Sequence, residues 1–368
     1  MIGKHSTIRE LHEKEEVKVR MAVAQKPRFT RRILLFVLLG LLVLVLYLYY
    51  FVGTVNIIDV ITRTNLLYYM SAFIAFLAGV FFSSLTWQSL LRNLDVKAKI
   101  QRVLLLMWAG MFFDVIVPEP GWSGDLSKAY MLAKTSGQDA GRIVASVIGQ
   151  KVIGMVVTVV DLILGLVLLA WHYTLPSVVL IFIAVVLFLS TLMLIVVSYV
   201  SAKPGATKRM LNWLIRVINF VRRGRWNSVD FRLKAEEMLN KFHEGIRTLS
   251  ADPKALVRPV ALSFLSWGFD VSVIFLTFAS LGYPVPVDKV LIVYALTGSL
   301  QVMGISFVGF TEIIMSSSYT VLGIVPAVSL SVTLLTRVIT LWFKLIVSYF
   351  AFQWAGVEIL LDRKPTIG

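Results

Sequence analysis

The chain has 368 residues, 58% of them hydrophobic, and its mean hydropathy is +0.81. Soluble domains average roughly 45–50% apolar residues, so this composition excludes an ordinary soluble protein. The sequence carries a formal net charge of +15 and no cysteine, which excludes disulfides and thiolate metal sites. Because Lys and Arg crowd the predicted loops, we interpret the charge as an orientation signal and expect no nucleic-acid partner.

The first predicted element follows a basic arm, residues 1–32, that ends in Arg28, Arg31 and Arg32. The apolar run Ile33–Val52 is too long for the hydrophobic region of a cleavable signal peptide, and it has no small-residue cleavage site. We therefore predict a first spanning helix with its N-terminus inside. The arm either sets this orientation or binds anionic lipid.

Further apolar segments follow along the chain. In order they are Leu66–Leu91, Val103–Val117, Ile143–Trp171, Ser177–Ser198, Pro259–Leu281, Val290–Met303 and Val325–Ala355. Runs of about 18 or more apolar residues predict helices that span a bilayer. Basic connections alternate with connections that are nearly free of Lys and Arg. The positive-inside rule then predicts a multi-pass protein of the cell membrane with both termini in the cytoplasm.

Two of these segments are short, and a break follows each one. Val103–Val117 and Val290–Met303 both end at Pro- or Gly-containing stretches that stop a helix. The predicted hinge or break residues are Pro118, Pro120, Gly121, Gly124, Gly304 and Gly309. Because irregular backbone at membrane depth must be surrounded by protein or a watery cavity, we predict two re-entrant hairpins that enter from opposite faces. The alternative is ordinary short spans, which would place the Lys128–Arg142 stretch outside.

Composition divides the chain into four parts. They are a basic cytoplasmic arm (1–32), a first transmembrane half (33–201), a basic amphipathic cytoplasmic connector (202–258) and a second transmembrane half (259–368). In the connector, Met210–Val221 predicts an amphipathic helix on anionic headgroups, and Ser228–Ser250 predicts a second helix. The expected fold is an all-α polytopic membrane protein. It has about six full spans and two re-entrant helical hairpins in an inverted-repeat-like arrangement.

Each half contains one pair of an acid and a following base. Asp125 precedes Lys151 by 26 residues, and Glu312 precedes Arg337 by 25. Charges at membrane depth are costly and usually lie on a substrate path, although buried pairs also serve structure alone. Both acids could also cap the returning helices of the hairpins. Asp114 is either a proton or substrate contact, or a group satisfied by the hairpin turn.

Polar residues at helical spacing mark the inward faces of three spans. They are Lys151, Gly154, Thr158, Asp161 and Gly165; Ser263, Ser266, Asp270 and Thr277; and Ser329, Thr333, Arg337, Thr340, Lys344 and Ser348. For the Ser, Thr and Gly members, close helix packing is the better interpretation. For the charged members, an internal ion pair and a transport role weigh evenly. The predicted substrate path comprises Asp125, Lys128, Lys151, Asp161, Asp270, Glu312, Arg337 and Lys344.

No motif points to enzymatic chemistry. The sequence lacks a P-loop, an HExxH motif and a Cys/His cluster, and its four histidines lie in tails and loops. We therefore expect no catalytic residue, metal site or cofactor, although a membrane enzyme can act through single acids that no motif reveals.

Two strings resemble known family hallmarks and occur in the right order. They are PEPGWSGDLSKAYMLAK with GRIVASVIGQKVIG, and GISFVGFTE with LLTRVITLWFKL. They are similar to the lysylphosphatidylglycerol synthase transmembrane family, which also includes archaeal membrane proteins tied to protein glycosylation. The resemblance spans Ile33–Ala355 and implies a lipid translocase core with functional weight on Gly124, Asp125, Lys128, Lys151, Glu312 and Arg337. This chain departs from the family at two places. Where the family commonly has an Asp-Arg pair, this chain has Gln150-Lys151, and where the family commonly has prolines and paired glycines, it has Ser306–Gly309. The soluble synthase domain is absent, so lipid aminoacylation is not expected.

The expected function is therefore flippase-like translocation of a phospholipid or polyprenyl-linked glycolipid between leaflets. The alternative is a membrane-embedded glycosyltransferase or accessory subunit, which would bind a polyprenyl phosphate through Lys128, Arg142 and the basic loop. A solute or ion transporter is a third interpretation. The expected partners are membrane lipids, with anionic headgroups at the cytoplasmic face, and a homodimer is one conceivable assembly.

Overall fold

The structure is a computed structural model that describes residues 62, 64–117, 122–173, 177–209, 212, 228–302 and 309–361. Over these residues the chain is helical and contains no strand, which confirms the predicted all-α class. The helices are α1 (Leu66–Asn93), α2 (Ile100–Ile116), α3 (Ser123–Ser136), α4 (Ala140–His172), α5 (Ser177–Ala202), α6 (Ser228–Ala251), α7 (Pro253–Ser280), α8 (Val287–Val302), α9 (Phe310–Val321), α10 (Pro326–Arg337) and α11 (Lys344–Leu361). A π-helical segment, Val338–Phe343, joins α10 to α11.

Five of the described helices are long and apolar enough to cross a membrane. They are α1, α4, α5, α7 and the composite helix Pro326–Gly356, which runs from α10 through the π-helical segment into α11. The predicted span Ile33–Val52 and almost all of the predicted helix Met210–Val221 lie outside the described residues. The total of about six spans therefore stays a prediction.

Four shorter helices occupy the segments that were predicted to be re-entrant. Helices α2 and α3 have 17 and 14 residues, and α8 and α9 have 16 and 12. Within each pair, the second helix follows the first closely along the chain and packs against it. Their pairing agrees with two hairpins, while their re-entry into a bilayer stays a prediction.

Helix α7 begins before its apolar run. The Asp252 side chain accepts hydrogen bonds from backbone N–H groups of the first turn, and Pro253 stands at the first helical position, where its missing N–H costs nothing. Pro259 lies inside the helix and cannot donate the usual hydrogen bond to the Ala255 carbonyl. The Asn93 side-chain amide donates to that oxygen instead, at 2.9 Å. This bond ties the end of α1 to the first turns of α7.

The two halves pack through equivalent elements. Among the described helices, the most extensive contact joins α1 to α7, the first described helix of each half. Helix α2 of the first hairpin packs against α11, and α8 of the second hairpin packs against α4. If the two halves were exchanged, the contact of α2 with α11 would become the contact of α8 with α4, and the reverse. The pattern agrees with a duplicated core of the kind that many secondary transporters use.

Close backbone approach makes the α1–α7 contact tight. The Ser266 hydroxyl donates to the Gly79 carbonyl at 2.9 Å. A Cβ atom added at Gly79 would lie 2.6 Å from the Asp270 carboxylate, so a larger residue there would displace that carboxylate. Small residues at such crossings are typical of helix packing in membranes.

The second connector helix, α6, packs on the bundle. Its side chains Phe242 and Leu249 are buried in a hydrophobic cluster shared with α1 to α4. Arg142 on α4 contacts the Glu244 carboxylate on α6 at 2.7 Å, and this guanidinium holds the pKa of Glu244 below its usual range. Helix α6 is therefore attached to α4 by both apolar and ionic contacts.

A charged two-lobed cavity as candidate functional site

The predicted acid–base pairs form, and they occupy equivalent positions in the two halves. Asp125 and Glu312 are each the third residue of their helices, α3 and α9, and Lys151 and Arg337 are each the twelfth residue of α4 and α10. The distance from Lys151 Nζ to Asp125 Oδ2 is 3.1 Å. That from Arg337 Nε to Glu312 Oε1 is 2.6 Å. The matched spacing in the sequence thus reflects matched geometry.

Glu312 also caps the helix that it begins. Its Oε2 atom accepts a hydrogen bond from the Gly309 backbone N–H at 2.7 Å, while Oε1 accepts from Arg337. Gly309, a predicted hinge residue, has a φ angle of +94°, a conformation that L side chains rarely adopt. The sequence allowed capping and ion pairing together, and both are present at this carboxylate.

Asp125 has a second basic partner, Lys128. Its Nζ atom lies 2.7 Å from Asp125 Oδ1, 2.9 Å from Gln150 Oε1 and 5.0 Å from the centre of the Trp87 ring. Gln150 in turn donates to the Ser83 carbonyl at 3.0 Å. Lys128 is only 4% exposed, so it is fixed in the wall between α1, α3 and α4.

Asp114 stabilises the first hairpin. Its Oδ1 atom accepts a hydrogen bond from the Gly124 backbone N–H at 2.9 Å, which satisfies a free donor in the first turn of α3. Gly124 and Gly110 are in backbone contact here, and a Cβ atom at Gly110 would lie 2.8 Å from the Gly124 carbonyl. The geometry supports the hairpin role for Asp114. The remaining predicted break residues, Pro118, Pro120, Gly121 and Gly304, lie outside the described residues.

The charged side chains surround a cavity with two adjacent lobes. The lobes have volumes of about 350 Å³ and about 330 Å³ and share wall residues from α1, α2, α7 and α8. The polar residues of the first lobe are Ser83, Asp114, Ser266, Asp270, Tyr294, Thr297, Gln301, Thr311, Thr336, Arg337, Thr340 and Lys344. Those of the second are Ser83, Asp114, Asp125, Lys128, Gln150, Lys151, Thr158, Ser263, Ser266, Asp270, Tyr294 and Gln301. The first lobe is lined by Arg337 and Lys344 from the second half, and the second lobe by Lys128 and Lys151 from the first half. The two lobes meet at a common wall.

Comparison with known proteins identifies the family. The family described as "Lysylphosphatidylglycerol synthase TM region" matches residues 34–348, which include both lobes and both ion pairs. The chain belongs to this family. It is 22% identical over 329 residues to a UPF0104 membrane protein of Pyrococcus horikoshii, covering 87% of this chain and 95% of that protein. It is 26% identical over 345 residues to a UPF0104 membrane protein of Methanocaldococcus jannaschii, covering 92% and 98%.

Most of the residues on the predicted substrate path lie around this cavity. Asp125, Lys128, Lys151, Asp270, Arg337 and Lys344 line it. Glu312 reaches it through Arg337. Asp161 does not line either lobe. It is 1% exposed and interacts electrostatically with Tyr294, a wall residue.

Sequence reasoning missed the contribution of α8. Tyr294, Thr297 and Gln301 line the first lobe from this helix, and no stripe was predicted there. Their spacing of three and then four residues inside an apolar segment was the available signal. Trp267 was also missed because an indole in an apolar helix gives no sign of facing a polar cavity.

The last span is not one continuous α-helix, as the stripe from Ser329 to Ser348 assumed. A π-helical segment starts at Val338, directly after Arg337. Such segments are rare and occur often at functional sites. Arg337, Thr340 and Lys344 nevertheless all line the first lobe. The prediction of a regular helix over this span was wrong, while the prediction of an inward-facing polar row was confirmed.

Among the described residues, no group of three or more His, Asp or Glu side chains is arranged to hold a metal ion. The charged and polar side chains of the cavity walls offer charge pairing and hydrogen bonding.

Proposed function

We propose that this membrane protein is a lipid translocase that moves a phospholipid or a polyprenyl-linked glycolipid between leaflets. The observation that carries the proposal is the two-lobed cavity, in which charged groups of both halves meet inside an apolar bundle. Charges at membrane depth are expensive, so a cavity lined by them favours a polar or charged substrate.

The dimensions suit a lipid headgroup. Small-ligand sites typically have volumes of roughly 300–1,000 Å³, and each lobe lies at the lower end of that range. The walls mix charged residues such as Lys151 and Lys344 with apolar ones such as Met111 and Ile274. The headgroup occupies the polar path in this proposal, and the acyl or prenyl tails stay in the surrounding bilayer.

The matched ion pairs supply a means of alternating access. In this proposal, the headgroup phosphate displaces Asp125 from Lys151 in one half, and Glu312 from Arg337 in the other. The equivalent positions of the pairs let each half open in turn, as in transporters built from internal repeats. Both termini lie in the cytoplasm in this arrangement, and the protein is in the cell membrane.

Reconstituted vesicles test the proposal. Vesicles of phosphatidylcholine and phosphatidylglycerol carry a trace of phosphatidylglycerol labelled on one acyl chain, and a membrane-impermeant quencher reports the outer-leaflet fraction. We expect wild type to bring inner-leaflet label to the quencher. Glu312→Gln and Arg337→Ala should each slow this at least tenfold, because each removes one partner of a cavity ion pair.

Glu244→Gln is the matched control. It removes the acid of the Arg142 ion pair, which joins α4 to α6 and lies outside the cavity lining. Its exchange rate should equal that of wild type. If the two cavity variants are folded, as judged by a monodisperse gel-filtration peak, and exchange label as fast as wild type, the mechanism is wrong.

The glycosyltransferase alternative finds less support in the geometry. It joins Lys128 and Arg142 in binding one phosphate, but the two side chains do not share a site. Lys128 lines the second lobe, whereas Arg142 lies outside the cavity lining and contacts Glu244 on α6. A sugar-transfer product in purified membranes would revive this alternative.

A further inference from the structure

Two acids of the candidate site differ from the paired Asp125 and Glu312. Asp161 is 1% exposed, and the polar group that approaches its carboxylate is the Trp267 indole N–H, although the two do not meet in good hydrogen-bond geometry. Asp270 lines both lobes, and its only hydrogen bond in the described structure is a long one, 3.4 Å from the Tyr294 hydroxyl. Neither acid has a Lys, Arg or His within ion-pair distance in the described parts of the chain.

Tyr294 links the two acids. Its hydroxyl donates to Asp270, and it interacts electrostatically with Asp161; its helix, α8, packs against both α4 and α7. The buried Trp267 indole N–H interacts with the Asp161 carboxylate, but it is a neutral donor and brings no charge to balance that group. An isolated carboxylate without a partner is very costly in a low-dielectric interior, whereas a neutral carboxylic acid with a nearby hydroxyl is tolerable. Chains of carboxyl groups at membrane depth are typical of proton pathways.

The surroundings of Asp270 contain both signs of charge. The charged groups that share its cavity are Asp114 from α2, Asp125 and Lys128 from α3, Lys151 from α4, Arg337 from α10 and Lys344 from α11. Helix α1 presents Phe76, Gly79, Val80 and Ser83 there, none of which is charged. Lys344 is the cation that interacts electrostatically with Asp270, and it also interacts with Asp114 and Arg337. It forms an ion pair with none of them in the described structure.

We propose that Asp270 and Asp161, linked by Tyr294, form a proton-binding site in the cavity wall whose occupancy controls entry of an anionic headgroup. The control of headgroup entry rests on the proposed function, whereas the proton-binding site does not. The sequence placed Asp161 and Asp270 on the substrate path, and this proposal has them bind the proton instead.

Charge balance connects the proton to the headgroup. The basic side chains at the cavity are Lys128, Lys151, Arg337 and Lys344. The other acids there are Asp114, Asp125 and Glu312. With Asp161 and Asp270 both protonated, the described charges leave one net positive charge, which attracts an anion. With both ionised, the balance is one net negative charge, which repels it. A proton and an anionic headgroup therefore enter and leave together.

Infrared spectroscopy tests the proton site without requiring transport. Wild type, Asp161→Asn and Asp270→Asn are compared at neutral pH in dodecyl maltoside, a detergent without a carbonyl group, because the ester carbonyls of phospholipids absorb in the same region as a protonated carboxyl. We expect a protonated-carboxyl band in wild type that loses intensity in either variant. Tyr294→Phe keeps both acids and should shift the band, because it removes the hydroxyl that contacts Asp270. Intensity that is unchanged in both Asn variants would overturn the proton site.

A pH gradient tests the coupling. In the vesicles described above, labelled phosphatidylglycerol should accumulate in the leaflet that faces the alkaline side, since protons and headgroups move together. Asp270→Asn should lose this accumulation, and Glu244→Gln should keep it. Exchange by wild type that ignores the gradient would overturn the coupling and leave the proposed function intact. No exchange by wild type under any condition would overturn the proposed function and the coupling, while the infrared band still decides the proton site.

Discussion

At the scale of single residues, each acid of the two ion pairs is held by more than one donor. Glu312 receives the Gly309 N–H and the Arg337 guanidinium. Asp125 receives the ammonium groups of Lys128 and Lys151. Opening either acid–base pair therefore leaves the acid with a remaining donor. This arrangement lowers the cost of separating charges inside the bundle, because an acid without any partner would be strongly destabilised.

Gly309 is the residue where the backbone demands glycine most clearly. Its φ of +94° positions the N–H that Glu312 accepts. We expect Gly309→Ala to lower the free energy of unfolding by about 1–3 kcal/mol, the usual cost of a strained non-glycine conformation. Thermal unfolding in detergent measures the change as a lower Tm.

Gly268→Ala is the control for this substitution. Gly268 lies within α7, and nothing lies within 4 Å of a Cβ atom there. Alanine is the better helix former by roughly 0.5–1 kcal/mol, so Tm should stay the same or rise. A Gly309→Ala protein as stable as wild type would show that the turn tolerates other conformations.

Sequence spacing predicted the ion pairs because each acid begins a helix and each base lies three turns into the next one. It could not reveal which lysine lies closer to Asp125. Lys128 is one helical turn from that acid and so shares its face, but its burial depends on Gln150 and Trp87 from other helices. Contacts across helices of this kind leave no periodic trace in the sequence.

At the scale of helices, the joint between α1 and α7 depends on a repaired hydrogen bond. The carbonyl of Ala255 lacks its usual α-helical donor because residue 259 is proline, and the Asn93 side chain donates to it instead. Asn93→Ala removes this donor, which costs about 1–3 kcal/mol when the carbonyl is shielded from water.

A double-mutant cycle isolates this bond. In a Pro259→Ala background the backbone N–H of residue 259 can donate to Ala255, so Asn93→Ala should cost much less than in wild type. Denaturant unfolding of wild type, the two single variants and the double variant provides the four free energies. Equal costs of Asn93→Ala in both backgrounds would show that the bond does not compensate for the proline.

Helix boundaries were predicted well where the apolar run coincided with the helix. The predicted segments and the structure agree that α1 begins at Leu66 and α5 at Ser177. Helix α7 starts at Pro253, earlier than its apolar run, because its first turn is polar and capped by Asp252. The π-helical segment after Arg337 could not be predicted, since the residues around it keep an apolar and polar alternation that fits an ordinary helix.

At the scale of the whole molecule, the central feature is a cavity built from both halves. Helix α1 packs against α7, and each hairpin packs against a span of the opposite half. These contacts place the two ion pairs around one cavity. Matched spacing in the sequence indicated duplication. The volume and the shared wall of the lobes could not be predicted, because they depend on how helices distant in sequence approach each other at residues such as Gly79.

Entry of a lipid headgroup into this cavity can be detected by site-directed cross-linking. The chain has no cysteine, so Thr340→Cys places a single thiol in the wall of the first lobe. Phe188→Cys is the matched control, since this exposed side chain lies near the middle of the apolar helix α5. The probe is a phosphatidylethanolamine with a maleimide on its headgroup.

We predict that the lipid maleimide modifies the thiol at position 340, that unlabelled phosphatidylglycerol slows the reaction, and that the thiol at position 188 stays unmodified. A small water-soluble maleimide confirms that the thiol at 340 is reactive. If that small reagent reacts at position 340 and the lipid probe does not, the headgroup does not enter the cavity and the proposed translocation path is wrong.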